Sequence, residues 1–124
     1  MRKLLAFLAV GALLAACATK VPQTAIDDAK AVSYGLESIY VASVQTATVW
    51  AKQPRCGPIT APPPLCSTAL GVLNVEAKRL VAKDALVRLN AVIATVGADP
   101  SAISAAIAVA REAVAAYQAI AGKG

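Results

Sequence analysis

The sequence contains no histidine, and this absence excludes most of the familiar catalytic arrangements. Neither a Ser-His-Asp triad nor a Cys-His pair forms without an imidazole, and a histidine-ligated zinc site is excluded for the same reason. The seven acidic residues are scattered, and no glycine-rich phosphate loop or calcium-loop motif is present. We therefore expect no enzyme, no metal, no cofactor and no small-molecule substrate, unless a site built on lysine or tyrosine replaces the missing imidazole.

Aromatic residues are also scarce, at 4% of the chain, whereas alanine is abundant. Alanine, leucine, valine and isoleucine at this density favour closely packed helices over a core of large aromatic side chains. The 124 residues suffice for one small domain. The net charge is +5, but the basic residues form no dense cluster with interleaved aromatics. Nucleic acid is therefore not an expected partner.

The amino-terminal residues follow the pattern of a secretory signal, with a basic start, a short apolar run and small residues before a cleavage point. The segment reads Met-Arg-Lys at 1–3, an apolar run over 4–13, and then Leu14, Ala15, Ala16 and Cys17. The apolar run is shorter than the roughly 20 residues that span a bilayer. A cleaved signal peptide is thus predicted over 1–16, and an ordinary signal with an incidental cysteine is the alternative.

This segment resembles the lipobox of bacterial lipoproteins, which consists of leucine, a small residue, alanine or glycine, and cysteine. In that family the cysteine sulfur receives a diacylglyceryl group, the signal is cut before the cysteine, and the new amine is acylated. The resemblance implies that Cys17 is the lipidated first residue of the mature chain, anchored in membrane lipid through a tether over 17–24. Because Ala18 stands where aspartate favours inner-membrane retention, it also implies an outer-membrane lipoprotein facing the periplasm.

The stretch 53–67 interrupts the helical sequence with five prolines, which cannot continue a helix at this density. With Cys17 lipidated, Cys56 and Cys66 are the two remaining cysteines. In an oxidising periplasm they predict a disulfide that closes the loop. Two thiolates without histidine do not make a structural zinc site, and nine intervening residues are not the spacing of a redox-active pair.

Helical periodicity predicts an all-α fold, a three-helix antiparallel bundle over 25–121 with the loop 53–67 between its first two helices. The first helix is expected over 25–52, with Thr24 and Asp27 as its capping box. Its apolar stripe contains Val32, Leu36, Ile39, Ser43, Thr46 and Trp50. A strand over 41–49 is less favoured because the pattern does not have a period of two. Trp50 is expected in the core, with ligand stacking as the alternative.

The second helix is expected to begin at Ser67 as N-cap and to end at Gly97, and it is apolar on two nearly opposite faces. One face contains Leu70, Leu73, Ala77, Leu80, Val87 and Ala91, and the other contains Val75, Ala82, Leu86, Leu89, Ile93 and Val96. Such a helix is expected to be covered on both sides, as the middle member of the bundle or by one neighbour and a second copy. In the second case, Leu86→Asp is expected to break the oligomer without unfolding the monomer.

A third helix is predicted from Asp99 as N-cap and Pro100 as first helical residue to about Ala121. Its stripe contains Ile103, Ile107, Ala110, Val114, Tyr117 and Ala121. An amphipathic helix lying on the membrane is the alternative, although its polar face is thin.

From residue 40 onward, the layout resembles small uncharacterised lipoproteins encoded by phages and prophages. The residues that carry this resemblance are AKQPRCG at 51–57, LCS at 65–67 and the alanine-rich helical pair that follows. The resemblance implies a viral or mobile-element origin and a role at the host envelope.

We expect a lipid-anchored, non-enzymatic protein that presents the loop to an envelope protein, because loops on rigid scaffolds commonly carry function. The candidate contact residues are Arg55, Ile59, Pro62, Pro63 and Pro64, and a plain spacer is the alternative. Under the phage resemblance, the role is spanin-like bridging of the envelope during lysis or superinfection exclusion. A structural membrane-anchored homo-oligomer is a further alternative.

Overall fold

The computed structural model describes residues 22–58, 66–95 and 97–123. Over these residues the chain forms three α-helices and no β-strand, which confirms the predicted all-α class. α1 spans Gln23–Ala51, α2 spans Ala69–Ala94 and α3 spans Pro100–Ile120. Each helix packs against both of the others, so all three share one core.

The start of α1 differs from the prediction. Pro22 occupies the N-cap position with an extended backbone, and no side chain caps the helix there. Thr24 and Asp27 both lie inside the helix, and Asp27 instead accepts a hydrogen bond of 3.0 Å from the Gln23 amide nitrogen Nε2. The predicted capping box is therefore wrong, because the helix begins before Thr24 and Asp27 pairs with Gln23 in the first turn as an ordinary i,i+4 contact.

The start of α2 is also shifted, for a reason that the loop explains. Thr68, not Ser67, is the N-cap, and its Oγ1 accepts a 2.9 Å hydrogen bond from the backbone N–H of Gly71. The Ser67 hydroxyl is already engaged, since it accepts from Arg55 and donates to the carbonyl oxygen of Gln53. The next hydroxyl along the chain therefore caps the helix.

The turn between α2 and α3 begins earlier than predicted, because α2 ends at Ala94 with Thr95 as its C-cap and not at Gly97. Gly97 has φ 75°, a left-handed conformation that glycine adopts without a Cβ clash and that commonly follows a helix end. The Asp99 side chain then accepts a 2.9 Å hydrogen bond from the backbone N–H of Ser101, and Pro100 is the first helical residue. The N-cap prediction for α3 is confirmed.

The core is built mostly from leucine, valine, isoleucine and alanine side chains, as the composition predicted, together with Trp50 and Tyr117. Tyr117, Leu89 and Val114 are its largest fully buried side chains. Trp50 is buried at the carboxyl end of α1, in the core as expected. The buried alanines, which let the helix axes approach closely, are Ala29, Ala47, Ala82, Ala85, Ala110, Ala113 and Ala121.

Only one of the two apolar faces of α2 is covered by the rest of the bundle. The covered face carries Val75, Ala82, Leu86, Leu89 and Ile93. The prediction of coverage on both sides within the bundle is wrong, because α1 and α3 both pack on this same face. Leu86 is 5% exposed, so its predicted place on a spare face is wrong as well.

Polar side chains link α1 to α2 along one side of the bundle. The Ser33 hydroxyl donates to Asn90 Oδ1 at 2.6 Å, and Asn90 Nδ2 donates to the Glu37 carboxylate at 2.7 Å. One turn further along α1, the Tyr40 hydroxyl accepts a 3.2 Å hydrogen bond from Arg79. Because each contact needs particular residues to face each other, together they set the register between the two helices.

Candidate functional site

The connection between α1 and α2 is closed by the disulfide that the sequence predicted. Cys56 and Cys66 are bonded, with their Cα atoms 5.0 Å apart and a sequence separation of 10. Cys66 is buried and Cys56 is half-buried. The disulfide therefore holds the two ends of the loop together, next to the end of α1 and the start of α2.

Hydrogen bonds reinforce the base of the loop beside the disulfide. The backbone N–H of Cys56 donates to the Ser67 carbonyl at 2.9 Å, and the Ser67 N–H donates to the Pro54 carbonyl at 3.0 Å. These bonds form an isolated parallel bridge between Arg55 and Ser67. Ser67 is fully buried with its hydroxyl bonded on both sides, so the base is polar but satisfied.

Arg55 belongs to the base of the loop and also faces solvent. Its Nη1 donates a 2.9 Å hydrogen bond to the Ser67 hydroxyl, although the residue as a whole is exposed. A guanidinium has five N–H donors, so Arg55 keeps donors for a partner while it holds the base. The other predicted contact residues, Ile59, Pro62, Pro63 and Pro64, lie outside the described residues, as do the predicted lipobox Leu14, Ala15, Ala16 and Cys17.

A second candidate surface is the uncovered face of α2. We name it the α2 stripe, and it consists of Leu70, Leu73, Ala77, Leu80, Asp84, Val87 and Ala91, all exposed. Its large apolar side chains are exposed by 69% at Leu70, 66% at Leu73, 52% at Leu80 and 58% at Val87. Several large apolar side chains exposed along one helix face can mark an interaction site. Sequence periodicity identified both apolar faces of α2. It did not show which of the two would remain uncovered.

Charged and aromatic residues line one edge of the α2 stripe and continue into the core. Glu76 and Arg79 form a two-bond ion pair, with distances of 2.6 and 2.7 Å. The Arg79 hydrogen bonds hold the pKa of Glu76 below its ordinary value. Arg79 also reaches Tyr40, whose ring centroid lies 5.7 Å from that of Tyr117. The i,i+3 spacing of Glu76 and Arg79 could have predicted their ion pair from the sequence. The contact between Arg79 and Tyr40 could not be predicted in this way, because it depends on how α1 and α2 pack.

The buried end of this cluster borders a cleft of about 440 Å³ between the three helices. Its walls include Val44, Trp50, Val75 and Tyr117. Within the described part of the chain, the indole N–H of Trp50 and the hydroxyl of Tyr117 are buried without a hydrogen-bond partner. Burial raises the pKa of Tyr117, and the nearby Tyr40 raises it further. Thr48, Glu76 and Arg79 also line the cleft, and Glu76 and Arg79 already pair with each other.

Two further features concern metals and membranes. Over residues 22–58, 66–95 and 97–123, no three His, Cys, Asp or Glu side chains are grouped so that they could hold a metal ion. One helix in these ranges, α3, has the length and apolar composition to cross a membrane. Its stripe of Ile103, Ala110, Val114 and Tyr117 is nevertheless buried against α1 and α2.

Comparison with known proteins adds no functional assignment. No protein-family model, curated protein or solved structure matches this chain.

Proposed function

We propose that this protein is a lipid-anchored, non-enzymatic lipoprotein of the outer membrane that faces the periplasm and acts by binding an envelope protein. The observation that carries the proposal is the segment Leu14-Ala15-Ala16-Cys17, which follows a basic start and a short apolar run. Acyl chains contribute about 0.8 kcal/mol per buried methylene, so two or three chains on Cys17 would make the attachment effectively permanent.

We further infer that the three helices form an antiparallel bundle. Along α1, the contact residues rise from Ser33 to Tyr40, while their partners on α2 fall from Asn90 to Arg79. This opposite order supports an antiparallel pairing of α1 and α2. The short turn through Gly97 supports an antiparallel pairing of α2 and α3 in the same way.

In this arrangement the loop lies far from the anchor. The six peptide units from Cys17 to Gln23 reach at most about 20 Å, and the 29 residues of α1 add about 43 Å. The disulfide-closed loop begins at the opposite end of α1. A bundle standing on its fully extended tether would therefore present the loop at most about 60 Å from the membrane surface, where a partner in the periplasm could contact it.

The loop has the properties of a presented recognition segment. Its base is fixed by the disulfide and by the Ser67 hydrogen bonds, so little conformational entropy is lost at the base on binding. The sequence places three consecutive prolines, Pro62, Pro63 and Pro64, in the loop, and proline-rich segments are commonly recognised by partner proteins. Arg55 adds a cation at the rim.

The anchor is tested by fractionating cell membranes that contain the wild type or variants. Cys17→Ser is expected to abolish lipidation and signal cleavage before residue 17, and to remove the protein from the outer-membrane fraction. The matched variant Ala18→Asp keeps the lipidated cysteine and is expected to move the protein to the inner membrane. If Cys17→Ser stays in the outer-membrane fraction, the proposed anchor is wrong.

The loop is tested by co-precipitation after chemical cross-linking in intact cells. Replacing Pro62–Pro64 with serines is expected to abolish capture of the partner, whereas Arg111→Ala on the exposed side of α3 is the control that retains it. Capture of an inner-membrane protein would support bridging during lysis. Resistance to phage infection from expression alone would support superinfection exclusion. Capture that is unchanged by the serine variant would show that the loop is a spacer.

The α2 stripe favours a second candidate function, a structural membrane-anchored homo-oligomer. Its exposed leucines and valines leave one helix of the bundle with an uncovered apolar face. An oligomer that covers this face would not need the loop.

A further inference from the structure

We infer that the α2 stripe is a homodimer interface, in which α2 of one copy packs antiparallel on α2 of a second copy. The inference deepens the second candidate function, the homo-oligomer, and does not depend on the loop. It rests on the spacing of the exposed apolar residues, on the one acidic residue among them, and on the charges beside them.

The α2 stripe has the spacing of a coiled-coil seam. Its seven positions, 70, 73, 77, 80, 84, 87 and 91, alternate by three and four, which is a heptad repeat over three heptads. The large side chains at 70, 73, 80 and 87 are all more than half exposed. A helix with this pattern packs most favourably against another helix with the same repeat, and a second copy of the chain supplies one.

A parallel pairing of the two helices is disfavoured by charge. In a parallel dimer each seam residue faces itself, so Asp84 would face Asp84 across the interface. Lys83 of one copy would also lie beside Arg88 of the other. Both contacts place like charges together, and like charges oppose association.

An antiparallel pairing brings unlike charges together. With the two-fold axis between residues 78 and 79, Ala77 faces Leu80 and Leu70 faces Val87 in the other copy. In the same register Glu76 of each copy lies beside Lys83 of the other, which gives two ion pairs related by the axis. Both side chains are exposed, and Glu76 is accessible although it bonds Arg79.

Neighbouring antiparallel registers lose this match. A shift by one heptad in one direction places Lys83 beside Lys83, and a shift in the other direction places Glu76 beside Glu76. The chosen register also puts Asp84 opposite Leu73, at a point where Arg88 already neutralises the carboxylate at 2.8 Å. One antiparallel register is therefore favoured by its charges.

The proposed dimer constrains how two lipid anchors reach one membrane. Tyr40 lies level with Arg79, close to the two-fold axis, so Gln23 begins about 25 Å away along the helix. The two copies of α1 then start about 50 Å apart, at opposite ends of the dimer. Both tethers reach the same membrane when the dimer lies along the surface.

Cross-linking through one introduced cysteine, in the full chain in membranes, tests the geometry of the proposed dimer directly. Ala77→Cys and Leu80→Cys each place two thiols near the axis and are expected to form dimers with a short bismaleimide. Leu70→Cys places its two thiols about 25 Å apart and is expected to remain monomeric under the same treatment. Co-expression of Leu70→Cys with Val87→Cys is expected to give the cross-linked dimer. Ala105→Cys, on the exposed side of α3, is the control that does not cross-link.

Charge reversal tests the register in a second way. Lys83→Glu is expected to raise the dissociation constant about tenfold, because it turns two attractive contacts into repulsions. Adding Glu76→Lys to Lys83→Glu restores opposite charges and is expected to recover dimerisation. Because Glu76 also bonds Arg79, circular dichroism of each variant checks that the bundle is folded.

Three results would overturn the inference. Self-cross-linking of Leu70→Cys would show a parallel dimer, and no dimer at Ala77→Cys or Leu80→Cys would show that no such interface exists. Cross-linking of these cysteines only to a different protein would assign the stripe to that partner. Fractionation of the Cys17→Ser protein reports on the anchor alone, so failure of the lipid proposal is distinguishable from failure of the dimer.

Discussion

Removing the Cys56–Cys66 disulfide is expected to lower the free energy of unfolding by about 2.8 kcal/mol. The two cysteines are ten positions apart. The chain-entropy relation for a closed loop of about 11 residues gives this value at 25 °C. For a domain of roughly 100 residues, the same change corresponds to a fall in melting temperature of about 10–20 °C.

The structure indicates that this loss arises mainly in the unfolded chain. The Ser67 hydrogen bonds to Arg55, Gln53 and Cys56 do not involve sulfur, so the base of the loop keeps them after reduction. Reduced wild type is therefore the cleanest test, because both sulfur atoms keep their volume. The double variant Cys56→Ala/Cys66→Ala adds a packing loss at the buried position 66.

Urea unfolding measures the effect, with the fluorescence of Trp50 and far-ultraviolet circular dichroism as two probes. Trp50 is the one tryptophan of the chain and is buried, so its signal reports on the core beside the loop. Reduced wild type and the double variant are expected to have midpoints below that of oxidised wild type. A loss under about 1 kcal/mol on reduction would contradict the predicted contribution of the disulfide to stability.

Three other substitutions test the core, a buried hydroxyl and a helix cap. Leu86→Ala is expected to cost about 3 kcal/mol in urea unfolding, because Leu86 is buried in the core; a cost below 1 kcal/mol would contradict its position. Tyr117→Phe is expected to stabilise the fold by about 1 kcal/mol at pH 7, since it removes a buried hydroxyl with no partner in the described chain. The stability advantage of Tyr117→Phe over wild type should grow above about pH 10. The fold raises the pKa of Tyr117, so the folded state holds the phenolic proton more tightly than the unfolded state. Wild type therefore loses stability as the pH rises, and the phenylalanine variant does not. If urea unfolding at alkaline pH shows this advantage shrinking, the prediction is contradicted. Asp99→Ala is expected to cost about 1 kcal/mol, because it removes the acceptor for the Ser101 N–H; an unchanged midpoint would show that the cap is not needed.

The third helix was predictable because its start and its main apolar stripe are both local signals. Its buried positions recur at helical spacing on a single face, and Asp99-Pro100 is a local start signal that needs no tertiary information. The disulfide was predictable for a similar reason, since two cysteines flanked one proline-rich stretch. These features depend on residues close together in the chain.

The covered face of α2 was not predictable from periodicity. Leu80 and Leu86 belong to two faces of equal apolar character, and the position of α1 and α3 decides which one is buried. The predicted N-cap of α2 was wrong for a related reason. The Ser67 hydroxyl accepts a hydrogen bond from Arg55 across the loop, so it does not cap the helix. The contact between Asn90 and Ser33 likewise joins residues 57 positions apart, which no local pattern encodes.

Intact-mass spectrometry of the protein purified from membranes tests the lipid anchor and the disulfide in one measurement. The proposed anchor predicts a chain that begins at Cys17 and carries a diacylglyceryl group and an amide-linked acyl chain. The disulfide predicts that Cys56 and Cys66 take up thiol reagent only after reduction. A chain that begins at an unmodified Met1 would contradict the anchor, and one whose two later cysteines react without reduction would contradict the disulfide.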